Sequence, residues 1–130
     1  MVSFDNLDSI IKVVPFPEAS DRPMMISLDD DKISVYLSKP DFRQYALVRS
    51  SSLSPILASL IVLPVICDAV RAIMDDRERD LDWRWSRAIR ERMEKIKPHS
   101  DDPLACAQQL LELPIRRSLA AALSSQDIEG

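Results

Sequence analysis

Hydrophobic and polar positions change their period near the middle of the chain, and that change divides it into two halves. Before Ser50 the apolar runs are short and β-branched. Ile10 to Val14 is closed by Pro15 and Pro17, which cannot donate to a ladder, and this predicts a strand with an exit at its end. Met24 to Leu28 and Lys32 to Ser38 flank Asp29, Asp30 and Asp31. In the second run Ile33, Val35 and Leu37 alternate with Ser34, Tyr36 and Ser38, which predicts a hairpin with one wet face. Phe42 to Arg49 fits either period and is read as a further strand.

After Ser54 the spacing becomes helical. Ser54-Pro55 supplies a cap and a proline at the first helical position, and the apolar run that follows reaches Ile73 and Met74. Between Leu53 and Cys67 the only polar side chains are Ser54 and Ser59, so this helix must be covered on every side. Asp80 is read as the cap of a second helix with Leu81, Trp85, Ala88, Ile89, Met93 and Ile96 on its apolar face. Its other face pairs Arg87 with Glu91, Arg90 with Glu94 and Glu91 with Lys95, four apart. Pro98 ends it. Ser100 or Asp102, followed by Pro103, opens a third helix expected to reach Leu123, with a frayed tail beyond. Leu60 to Val65 and Leu110 to Ile115 align on Pro64 and Pro114, which suggests two helices kinked at matching places.

The expected fold is therefore α+β: a small antiparallel sheet of three to four strands in residues 8–50, then three helices at 54–75, 81–97 and 102–123. The expected organisation is a single domain over 1–130, with a β half (1–50) and a helical half (53–124). At 130 residues the chain suffices for one core. Apolar residues make up 46% and aromatics 5%, so the packing must be mainly aliphatic.

Composition excludes more chemistry than it suggests. Gly130 is the only glycine and His99 the only histidine, so no glycine-rich loop can close on a phosphate or a dinucleotide. The net charge of −4 argues against nucleic acid and against an anionic membrane surface. Trp83-Arg84-Trp85 and the basic residues after it are offset by Asp80, Asp82, Glu91 and Glu94. The apolar stretch of the first helix falls short of the roughly 20 residues a membrane span needs, being broken by Pro64 and ended by Asp68. Cys67 and Cys106 lie far apart in apolar patterns, which fits free thiols in a reducing cytoplasm, as does the lack of a basic stretch and apolar run at the start.

No candidate site assembles catalysis. The aspartate run lacks the alternation and the glycine of a calcium loop. Cys67, inside an apolar helix, is a poor nucleophile, and two cysteines with one histidine make a poor zinc set. No catalytic residue, metal or cofactor is expected. Asp68 and Arg71 interrupt the first helix one turn apart and can pair with each other or meet a partner. Trp83 falls off the apolar face and either caps the core or forms an interface hot spot beside Arg84 and Arg87.

The function expected from these features is a non-enzymatic protein–protein interaction module of a microbial cytoplasmic protein, a homodimer or a subunit of a larger assembly. Its surface would lie on the Pro64 and Pro114 helices around Ile61, Val65 and Asp68. The alternative is a small acidic inhibitor, an immunity or anti-defence protein, that blocks a basic enzyme site with Asp29, Asp30 and Asp31 together with Asp21 and Glu18.

Overall fold

The computed structural model describes residues 9–18, 21–75, 83–98 and 101–129, the side chains of 125–129 excepted. It is an α+β fold, 62% helical, with a three-stranded mixed sheet and five helices. Strand β1 is Ile11–Pro15, β2 Met25–Ser27 and β3 Ile33–Leu37, and the sheet order is β1-β3-β2.

The β2–β3 hairpin has the expected antiparallel pairing, with Ile26 opposite Val35. The sheet as a whole is not antiparallel, because β1 runs parallel to β3 with Val13 beside Val35. Pro15, which cannot donate to a ladder, ends β1; β2 takes the far edge, and β3 lies between the two. Ile33 N–H donates to Ile10 O and Phe16 N–H to Leu37 O, both at 2.8 Å, which extends the parallel ladder at each end.

The face of β3 expected to be wet is also covered. Phe16 stacks on Tyr36 with ring centroids 5.5 Å apart, the Arg22 guanidinium lies 4.3 Å over the Phe16 ring, and Ser34 and Ser38 are buried.

Residues 42–49 are helical, which corrects the reading of a fourth strand. Helix α1, Lys39–Arg49, is nucleated at its start: Ser38 Oγ accepts Asp41 N–H at 3.2 Å and Pro40 occupies the first turn. Phe42 and Tyr45, three apart, turn their rings toward the core while most of the helix stays in solvent.

Helix α2, Ser54–Asp75, is continuous but irregular. It opens as a 3-10 turn over Ser54–Ile56, widens to a π-helix over Ala58–Val62 and becomes α-helical from Leu63. Pro64 has no N–H to offer four residues back, and the π turn directly before it, where Leu63 N–H reaches Ala58 O, accommodates that loss. Most of the helix is covered by the rest of the chain; Leu60 is its one exposed large apolar residue.

Helix α3, Arg84–Ile96, buries Trp85, Ser86 and Ile89, with Ala88, Met93 and Ile96 partly buried on the expected face. Asp80 and Leu81 lie outside the described residues. Lys97 closes the helix in the left-handed conformation, φ 50°, just before Pro98.

The single third helix expected from the sequence is two helices, α4 (Pro103–Leu110) and α5 (Pro114–Glu129). Asp102 caps α4 through Ala105 N–H at 3.0 Å. Glu112 and Leu113 are both left-handed, at φ 60° and 59°, and turn the corner between the helices. Proline disfavours the α conformation in the residue before it and suits a helix start, so Pro114 opens α5 instead of kinking a longer rod. The resemblance to Pro64, which rides inside α2, therefore does not extend to structure. The backbone of α5 stays helical to Glu129, through the tail expected to fray.

One core joins the two halves: Ile33, Val35 and Leu37 meet Val65, Ile66 and Val70 of α2, Trp85 and Ile89 of α3, and Cys106 and Leu110 of α4.

Candidate functional site

The residues singled out in the sequence do not come together. Val65 is wholly buried, so its surface is covered within the chain. Asp68 Oδ1 lies 3.7 Å from Arg71 Nη1, a local, solvent-exposed pair, and Ile61 is half-buried. Trp83 is partly buried and packs against the core. Arg84 and Arg87 are exposed. His99 lies outside the described residues.

The aspartate turn has a structural task. Asp31 Oδ1 accepts Arg84 N–H at 3.1 Å, Asp31 O accepts Trp85 N–H at 3.0 Å, and Asp30 Oδ1 holds Asp31 N–H at 2.8 Å. The hairpin turn thus takes the place of a side-chain cap, which Trp83 cannot supply. Trp85 Nε1 completes the clasp by donating to Leu28 O at 3.0 Å.

Cys67 and Cys106 are free and buried. Burial, and secondarily the Cys67 thiol, pushes the Cys106 thiol up. Such a thiol is protonated and unreactive at neutral pH. Among the described residues no three His, Cys, Asp or Glu side chains converge as a metal site.

Two features stand out whose residues the sequence reading does not name. The first is the outer face of α5. The helix docks on the head of α2 through Ser118, whose hydroxyl lies 2.6 Å from Ser59 Oγ and donates to Pro55 O at 3.1 Å. That docking leaves Ile115, Leu119 and Leu123 bare, at 42, 61 and 61% exposure, four residues apart along one side of the helix. Their spacing is visible in the sequence but reads equally well as a core-facing stripe.

The second is a cleft of about 880 Å³ between β1, α1, the head of α2 and the other side of α5. Its apolar walls include Ile11, Val13, Leu57 and Ile61, with Ala120 and Ala121 along α5. Lys12, Arg49 and Arg117 are among its lining residues, and none of the described lining residues is acidic. Arg117 is held by a hydrogen bond from Nη2 to Leu111 O. The three basic residues come from three distant elements, so no spacing in the sequence links them.

No family model, curated protein or solved structure matches the chain. One helix among the described residues, α2, is long and apolar enough to cross a membrane, which corrects the expectation that its apolar stretch falls short of a span; half of its most apolar window is buried inside the fold.

Proposed function

We propose that the chain is a non-enzymatic protein–protein interaction module of the cytoplasm that associates with a second copy of itself through α5. The observation that carries this reading is the bare stripe of Ile115, Leu119 and Leu123. Large aliphatic side chains exposed to this extent, aligned on one face of a 16-residue helix, form a contiguous apolar strip of the kind that marks interaction surfaces. A spacing of four makes the stripe self-complementary. In an antiparallel pair centred on Leu119, the Ile115 of one copy faces the Leu123 of the other, the isologous arrangement of a two-fold dimer.

Of the two proline-containing helices proposed from the sequence as the interacting surface, α5 is favoured over α2, where Val65 is buried and Ile61 partly so. The inhibitor reading has less to draw on: Asp31 is engaged in capping α3, and Glu18 pairs with Arg22 at 2.7 Å.

Light scattering behind a sizing column, across a hundredfold concentration range, tests the proposal. The expected mass is twice the 14.8 kDa of the chain, returning to one chain in Leu119→Glu with an unchanged helical spectrum. A monomer throughout overturns it.

A further inference from the structure

We infer that the cleft between β1, α1, α2 and α5 binds a single-chain amphiphile with a carboxylate head and an aliphatic tail. Its volume of about 880 Å³ lies within the usual range of small-molecule sites, about 300–1,000 Å³. The chemistry of its walls selects the ligand. In a chain of net charge −4, three basic residues and no described acidic residue line one cleft, a local reversal of sign that favours an anion. Arginine presents paired donors in the geometry of a carboxylate, and the bond from Arg117 to the Leu111 carbonyl holds that side chain in place.

Apart from Tyr45, Ser54 and Ser124, the remaining lining residues are aliphatic or proline and suit a flexible alkyl chain. Tyr45 is the single aromatic among the described lining residues, which leaves no stack for a planar base, and the chain has no internal glycine with which to build a phosphate-cradling loop.

The backbone supports the same site. Ala58–Val62, the π-helical turn, contributes Ala58, Ile61 and Val62 to the wall. Such turns are uncommon and concentrate at functional sites. The cleft also uses the side of α5 carrying Arg117, Ala121 and Ser124, turned away from Ile115, Leu119 and Leu123. Ligand and second copy therefore occupy different faces of one helix.

Titration of the full chain with decanoate, followed by calorimetry and amide NMR, tests the inference. Saturable 1:1 binding is expected, with shifts at Lys12, Arg49, Ala58 to Val62, and Arg117 to Ala121. Decyltrimethylammonium, acetate and inorganic phosphate should each bind at least about tenfold more weakly, since each lacks either the anionic head or the tail. Arg49→Glu and Lys12→Glu, both at exposed positions, should weaken decanoate by a similar factor, and Ala121→Phe should block the cleft from within. Four results each overturn the site: no saturable decanoate binding, equal binding of decanoate and decyltrimethylammonium, saturation by phosphate alone, or shifts confined to the outer stripe of α5.

Discussion

Asp31 caps a helix that begins 53 residues later in the chain: its carboxylate accepts the Arg84 N–H at 3.1 Å. The first turn of any helix leaves N–H groups unsatisfied, and a neighbouring residue usually supplies the acceptor. Here a β-hairpin turn does so, and this joins the sheet to the helical half by hydrogen bonds as well as by packing.

Removing that acceptor should be felt globally. Asp31→Ala is expected to cost about 1 kcal/mol of unfolding free energy, while Asp31→Asn, which keeps a capping oxygen, retains most of it. Urea denaturation of the three proteins checks the order. Equal stability of all three would show that Asp31 does not act as the cap.

Trp85 is fully buried and its indole N–H reaches the Leu28 carbonyl. Trp85→Phe keeps an aromatic ring but deletes the donor and part of the volume. A loss of about 1–3 kcal/mol is expected, read from the denaturant midpoint at constant slope.

Three residues with side chains, Lys97, Glu112 and Leu113, occupy left-handed conformations that glycine adopts without strain. Lys97→Gly and Glu112→Gly should each stabilise the fold, by about 0.5–1 kcal/mol after the added flexibility of the unfolded chain is deducted. A rise in thermal midpoint in both variants is the expected reading.

The Cys106 thiol is raised by burial and then by Cys67. A raised folded-state pKa means that the unfolded chain gives up its proton first. The contribution to stability is fully present below the unfolded value, about 8.5, and is lost as pH climbs through the folded value. Unfolding free energy should therefore fall on the alkaline side of pH 8.5, with a shallower slope in Cys106→Ala.

Local chemistry in the sequence locates most elements. Pro98 and Asp102-Pro103 mark helix boundaries, and the two runs flanking the aspartates pair as a hairpin. At Phe42 to Arg49 the apolar period fits strand and helix alike, and the cap decides: Ser38-Lys39-Pro40-Asp41 carries both the hydroxyl and the proline of a helix start. Pro114 was misplaced because its neighbours are apolar on both sides, and the left-handed corner before it falls on Glu112 and Leu113, residue types that do not advertise such a turn.

The parallel pairing of β1 was hidden because it depends on where nine intervening residues travel, and no local pattern records that route. The cleft was hidden for a related reason: Lys12, Arg49 and Arg117 become neighbours only through the tertiary fold.

The order β1-β3-β2 also bears on how copies of the chain meet in a crowded solution. Ile33–Leu37, the segment best suited to cross-β stacking, sits in the centre with its backbone bonded on both sides. The edges are poor templates: β2 has three residues and starts two positions after Pro23, while β1 ends on Pro15. Strand addition is thereby discouraged at both margins, and encounters between molecules are left to helices.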